Sequence, residues 1–366
     1  MKRYLTVLLL LVVLSACKST RIGKTQNLQL QLLDDYIIPK DLKIGGTLVG
    51  GLSGIEFHDG KYYLVSDHPS QPRFYQVNIE LDKEQIDTII FEQVILIDQD
   101  SGVLKGKHLD LEGIIYNQEK DHFVLSSEGS LGNGKDPAIF KVTPEGAFID
   151  SFAVPQYFMA DSRWEPRNNG VFEGLAQAYD KEGIWTAMEL PLKSDGPKPK
   201  LYPTKSPVRI TLFDEDTQQP VRQFAYLLES ITKIPWLYFA INGVSDMLQY
   251  APDKFLILER GFSAGHGSDG NIIRIFDVDA SLATNTLNTN NLKVSFYNPA
   301  KKELVYDFKW AKDYLSRGFI DNIEGITFGP ILPNGNQSIL LISDNNFNSL
   351  GEQINQVVLM EFTKKK

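Results

Sequence analysis

Carboxylates recur in this chain where strand-forming sequence has no need of them. Five short β-type runs close on an acid, at Asp67, Glu128, Glu189, Glu259 and Asp344, and four of the runs that precede them carry one near their start, at Glu112, Glu173, Asp246 and Glu324. Asp110 stands two residues ahead of Glu112. Carboxylates gathered at one place repel, and each raises the pKa of the next unless cations neutralise them. Oxygen donors in that number suit a hard ion. Calcium accepts about six to eight of them in flexible geometry, whereas zinc takes His or Cys, and the chain holds five His and a single Cys. Calcium is the expected cofactor, with Glu112, Glu128, Glu173, Glu189, Glu259, Glu324 and Asp344 as candidate ligands. For any one acid the alternative is a backbone bond, or a rim ion pair with Arg163, Arg167, Arg260 or Arg317. Asp344, Asn346 and Asn348 match the first three ligand positions of an EF-hand loop, but Ser349 replaces the turn glycine and no Glu stands at the twelfth position.

Basic side chains crowd the same stretches. Arg163, Arg167, Lys193, His266 and Arg317 are candidates for holding an anion, joined by Lys198, Lys200 and Lys205 in a proline-stiffened segment. A cationic rim over a metal-filled acidic mouth suits a phosphate ester, whose oxygens a metal can bridge while Arg and Lys hold the remainder. A rival motif is Gly261-Phe262-Ser263-Ala264-Gly265, which matches the G-x-S-x-G nucleophile elbow and has His266 beside it. That elbow needs a strand, a turn and a helix in a parallel sheet; here another β-type run follows.

These acids are positioned by a repeat. LSGIEFHDGKYYLVSDH (52–68), LEGIIYNQEKDHFVLSSE (111–128), FEGLAQAYDKEGIWTAMEL (172–190), VSDMLQYAPDKFLILER (244–260) and the stretch 321–346 share one grammar: a brief strand, a polar turn, and a second strand ending on acid. An antiparallel hairpin brings the two acidic ends together. A third strand follows each unit and a fourth follows four of them. Four strands recurring at roughly 60 to 75 residues predict an all-β propeller. The last unit lacks its own fourth strand, and NLQLQLLDDYII at 27–38 is placed to supply it and close the ring. Five blades are expected; a degenerate sixth in 230–243 or 280–300 stays open. In such a ring the links after second strands, and those that enter each blade, share a face with the acids.

The first residues carry Lys2 and Arg3, an apolar run from Leu5 to Leu14, then Ser15-Ala16-Cys17. This is an export signal rather than a spanning helix. The LSAC ending resembles the bacterial lipobox, which implies cleavage before Cys17, lipid on that thiol, and a protein facing the periplasm or cell surface. The expected organisation is a signal at 1–16, a tether at 17–26 and one propeller domain at 27–366. With no second Cys, disulfide and thiolate chemistry are excluded. Loss of Lys2 and Arg3 takes the formal net charge from -9 to about -11, so the body should not seek nucleic acid through its bulk field. The lipid is the one membrane contact expected, and a monomer is expected.

NNGVFEGLAQ with IWTAMELP, SDMLQYAPDKFLILERGF and DNIEGITFGPILPNGNQSILLISDNNFN resemble the phytase-like family of bacterial proteins, described by an esterase-like activity of phytase. The resemblance spans roughly 45–362 and carries Glu173, Glu189, Glu259, Arg260, Glu324, Asp344, Asn345 and Asn346 as motif residues. It implies a propeller akin to calcium-dependent phytases that hydrolyse phosphomonoesters. On that reading Glu173, Glu189 or Glu324 accepts a proton from water, Arg260 holds substrate charge, and Asn345 and Asn346 contact substrate. A non-catalytic binding propeller and a serine esterase acting through Ser263 are the alternatives.

Overall fold

The computed structural model describes residues 20–100, 104–348 and 353–365. The signal and Cys17 lie outside the described residues. Five antiparallel sheets form the ring. The first blade has β5 (Leu52–His58), β6 (Lys61–Ser66), β7 (Arg73–Asp82) and β8 (Gln85–Leu96). The second has β9 (Leu111–Asn117), β10 (His122–Ser127), β11 (Ala138–Val142) and β12 (Phe148–Ser151). The third has β13 (Phe172–Gln177), β14 (Gly183–Met188), β15 (Pro207–Asp214) and β16 (Pro220–Leu227), and the fourth β17 (Ala240–Ala251), β18 (Lys254–Ser263), β19 (Asn271–Asp279) and β20 (Lys301–Asp307). In the fifth, β21 (Ile323–Ile331), β22 (Gln337–Ser343) and β23 (Asn355–Lys364) are completed by β2 (Leu28–Ile38), with β1 (Ile22–Lys24) added at its edge. A two-stranded hairpin, β3 (Lys43–Ile44) and β4 (Thr47–Leu48), lies ahead of the first blade.

The N-terminal strand closes the ring as expected. β2 pairs antiparallel with β23 from Leu28 opposite Lys364 to Ile38 opposite Asn355, with a register shift between Leu32 and Asp34, so separating the two ends of the chain breaks this ladder. Asp34 adds a link across blades by accepting the N–H of Ile86 at 2.8 Å. Neither 230–239 nor 280–300 contains a strand, and the ring has five blades.

Each strand is set by its local sequence. The hairpins between first and second strands turn on residues with positive φ, such as Asp59 and Gly60 in the first blade and Asp253 in the fourth, which is the turn chemistry that matches strand twist. Apolar side chains pack between neighbouring blades. Trp185 of β14, for example, meets Phe255 of the fourth blade at 5.3 Å between ring centres, beside Phe224 of its own blade at 5.4 Å.

Candidate functional site

A bulge in every innermost strand builds the mouth of the ring. The register slips between Leu52 and Gly54, Phe172 and Gly174, Val244 and Asp246, and Ile323 and Gly325, and β9 carries its extra residues between Leu111 and Ile114. Bulges re-aim side chains. The residues they set loose are Ser53, Glu112, Glu173, Ser245 and Glu324. The two serines tie blades together, Ser53 donating to the Leu111 carbonyl at 2.7 Å and Ser245 to that of Ile323 at 3.3 Å. The three glutamates line the mouth.

The second strands supply the rest by a shared register. In the four blades closed by Asp67, Glu128, Glu189 and Asp344, the acid's own N–H donates to the residue that enters the blade: Gly51, Asp110, Val171 and Asn322 respectively. Glycine is needed at one of these places. Gly51 has a φ of +60°, and a Cβ there would sit 1.9 Å from the Asp67 carboxylate.

The result is a cavity of about 350 Å³ that brings together Asp67, Asp110, Glu112 and Glu128 with Glu173, Glu189, Glu324 and Asp344. Carboxylate oxygens of Asp110, Glu112 and Glu128 all lie within 4.8 Å of one another. Among the described residues one cation, Arg260, reaches this lining. It donates to Asn322 Oδ1 at 2.8 Å and lies 3.3 Å from both Glu189 and Glu324. Asn322 in turn donates to Glu324 at 2.8 Å. Phe239, Ile241 and Phe262 form an apolar wall on one side.

So many acids and one guanidinium leave the cavity undercompensated. Burial, and then the neighbouring carboxylates, push Glu112, Glu173 and Asp344 well above the ordinary range. Glu128 is also raised well above it by burial and by Glu189, although Val171 donates its N–H to Oε1 at 2.6 Å. Burial and Asp67 push Asp110 up to about 7. Glu324 also reaches about 7 through burial, held back by Arg260. Deeper in the ring, Asp246 accepts the N–H groups of Leu175 and Ile326 at 3.1 and 2.8 Å and is pushed by burial up to about 8. Its carboxylate links the fourth blade to the third and fifth on either side.

Glu259 corrects the expected ligand set. β18 pairs Val244 with Glu259 and Gly243 with Arg260, so Arg260 takes the seat that an acid holds in the other four blades. One residue of shift sends a side chain to the opposite face of a strand. Glu259 is fully buried inside the fourth blade, with Lys302 Nζ at 2.8 Å, the Tyr226 hydroxyl and Asn242 Nδ2 at 2.6 Å, and Arg274 at 3.5 Å. Those cations hold its carboxyl below the usual value against the burial that opposes them.

Of the residues expected to hold substrate, Asn346 lines the cavity. Asn345 is buried beneath it, accepting the N–H groups of Gly51 and Phe347. Arg167 and Lys193 line a separate depression with Lys198 and Asn168; Arg167 is tied to the Pro191 and Gly196 carbonyls, and Lys193 to Glu165 at 2.7 Å. Arg163 stacks on Trp164 at 4.3 Å. His266 stacks on Trp236 at 4.3 Å and contacts the Ile234 carbonyl at 2.9 Å. Arg317 is exposed on the link into the fifth blade. None of these five lines the acidic cavity; Arg163, Arg167, Lys193 and His266 are held by contacts on their own loops. Ser263 is also unsuited to the nucleophile reading: it lies inside β18, fully buried, and donates to the Lys233 carbonyl at 2.7 Å.

The expected set lacks Asp67, Asp110 and Asn322, all of which line the cavity. Asp67 closes its strand as Glu128 and Asp344 do, while Asp110 and Asn322 stand two residues before the bulged glutamate, at Asp110-Leu111-Glu112 and Asn322-Ile323-Glu324, and those shared offsets were the available signal.

Fold and cavity together define a five-bladed propeller with a carboxylate-lined mouth holding one arginine. Residues 47–347 match the phytase-like family, described as esterase-like activity of phytase, and the chain belongs to that family. No curated protein sequence matches the chain. Solved structures similar to it include the Malassezia sympodialis allergen Mala s 1, 11% identical over 94% of this chain and 92% of that one, with a TM-score of 0.43. Others are a luciferin-regenerating enzyme (10% identity, 94% and 92% covered, TM-score 0.40) and an endo-1,4-beta-xylanase from Bacteroides thetaiotaomicron (8% identity, 84% and 90% covered, TM-score 0.44). At these scores the likeness carries no argument about this chain.

Proposed function

We propose that this phytase-like propeller is a calcium-dependent phosphoester hydrolase, held at a membrane by lipid on Cys17. The observation that carries the reading is the cavity in which eight carboxylates meet one guanidinium. Its donor set fits calcium: all the clustered donors are oxygens, and Asp110, Glu112 and Glu128 converge closely enough to share an ion. Those three would hold it, with Glu173, which interacts with Glu112, nearby to add charge. A bound calcium supplies charge neutralisation and a template for a phosphoryl oxygen and a water.

The chain's own residues do the rest. Arg260 stays charged, and its guanidinium is fixed between Glu189 and Glu324, poised to hold an anionic oxygen without reorganising. Glu324, pushed up to about 7, is matched to accepting a proton from water near neutral pH. The depression holding Arg167, Lys193 and Lys198 offers a further phosphate a place beyond the reacting one; the charge of Lys198 is already felt by Glu189.

The test is phosphate release by the purified chain from a panel of phosphomonoesters that includes inositol hexakisphosphate, with calcium and with chelator. Calcium-dependent release is expected. Thermal stabilisation by calcium with no turnover on any ester would overturn the hydrolase and leave a binding propeller.

A further inference from the structure

The link that enters the fourth blade carries a run of large apolar side chains into solvent. Ile234, Trp236, Leu237 and Tyr238 are 70%, 71%, 68% and 100% exposed, and Phe239 is 54% exposed where it joins the apolar wall of the cavity. Scattered exposed apolar residues need no explanation, but a contiguous run does.

The loop is held in shape. Ala264 accepts the N–H groups of Trp236 and Leu237 at 2.9 and 3.3 Å and donates its own to Phe239 at 2.9 Å. Ser263 and His266 grip the carbonyls of Lys233 and Ile234. Gly265, with a φ of +95°, leaves room for Trp236, whose Cβ would sit 2.7 Å from any side chain placed there. The Gly-Phe-Ser-Ala-Gly motif thus serves as the cradle of this loop. A rigid backbone presenting Trp, Leu, Tyr and Phe outward has the composition of a bilayer interface.

The start of the chain points to the same occupant. Thr20, the first described residue, donates its N–H to the Trp310 carbonyl at 2.8 Å. Two residues on from Trp310, Lys312 pairs with the Asp269 carboxylate, and Lys233, at the root of the apolar loop, donates to the Asp269 carbonyl at 2.5 Å. A short chain of contacts therefore joins the point where the N-terminal tether emerges to the exposed loop.

We propose that residues 234–239 dock on the lipid bilayer to which the N-terminus is anchored, setting the acidic mouth close to the membrane surface. This rests on the lipid-anchor reading above for the proximity of the bilayer, while the contact itself is made by the loop.

The test uses the full-length chain reconstituted with phosphatidylethanolamine and phosphatidylglycerol vesicles that contain brominated phosphatidylcholine, which quenches tryptophan only at short range. The wild-type chain is expected to float with the vesicles and to lose Trp236 emission, identified by its absence in Trp236→Phe. A Cys17→Ser chain is expected to bind more weakly, and Trp236→Ser/Leu237→Ser in that background to bind weaker again by on the order of tenfold or more. Flotation without Trp236 quenching would overturn the docking and leave the anchor. Equal flotation of Cys17→Ser and wild type, with quenching, would overturn the anchor and leave the docking; failure to float at all overturns both. Self-association that depends on Trp236 in place of quenching would assign the loop to a second copy of the chain and overturn the proposal.

Discussion

Glu259 and Arg260 are neighbours in β18 and face opposite ways: Glu259 closes a buried network with Lys302 at 2.8 Å, while Arg260 enters the acidic mouth and lies 3.3 Å from Glu324. The fourth blade therefore contributes the positive charge of the site, and its acid belongs to the fold. Arg260→Gln should lower kcat/KM by about 100- to 1000-fold and, by leaving Glu189 and Glu324 without their cation, should also lower the melting temperature in chelator. Glu259→Gln should leave kcat/KM of the folded protein nearly unchanged but take Arg274's counter-charge and leave Lys302 with Glu229 alone, at a cost of about 3 kcal/mol. Steady-state kinetics and urea titration of both variants separate the two roles.

Calcium-free stability should fall as the pH rises. Glu56, on β5 of the first blade, and Asp246 are both pushed by burial up to about 8, so the folded chain binds protons at these carboxyls that the unfolded chain gives up near their ordinary values. Their contribution is full below about pH 4 and is lost progressively as pH rises through 8. Thermal melts in chelator should show a lower midpoint at pH 8.5 than at pH 6.

Added calcium should reverse that loss at high pH. At about one hundred times its dissociation constant the ion should add ~2.7 kcal/mol of stability. Asp110→Asn and Glu112→Gln should each weaken the apparent calcium affinity by about tenfold or more, read as a rightward shift of the calcium dependence of the melting midpoint.

Ser263→Ala should keep full phosphomonoesterase activity. The hydroxyl supports the Lys233 carbonyl, so its removal should cost about 1 kcal/mol of stability. Loss of activity with unchanged stability would return Ser263 to the role of nucleophile.

The strand units and the ring were legible in the sequence because the turn chemistry repeats and because residues 27–38 had no other unit to join. Several of the acids that meet in the cavity were legible for the same reason, since hairpin geometry fixes where a strand's two ends lie. Register was harder to read. The alternation of faces has a period of two, and the Leu-Glu-Arg end of β18 fits either choice of which residue closes the strand; only the pairing of Gly243 with Arg260 decides it. Loop positions were the least legible. Arg163, Arg167, Lys193, His266 and Arg317 share a rim in chain order, but their places are set by contacts such as Trp164 beneath Arg163 and Trp236 beneath His266, and no local pattern encodes those.

Calcium-dependent hydrolysis requires a divalent cation among Asp110, Glu112 and Glu128. Crystals grown at pH 8 and soaked in calcium, with diffraction recorded where calcium scatters anomalously, test it directly. An anomalous peak within coordination distance of those three carboxylates is expected, lost in Glu112→Gln. A cavity without a peak at millimolar calcium, or with Arg260 swung inward to take the ion's place, would contradict it.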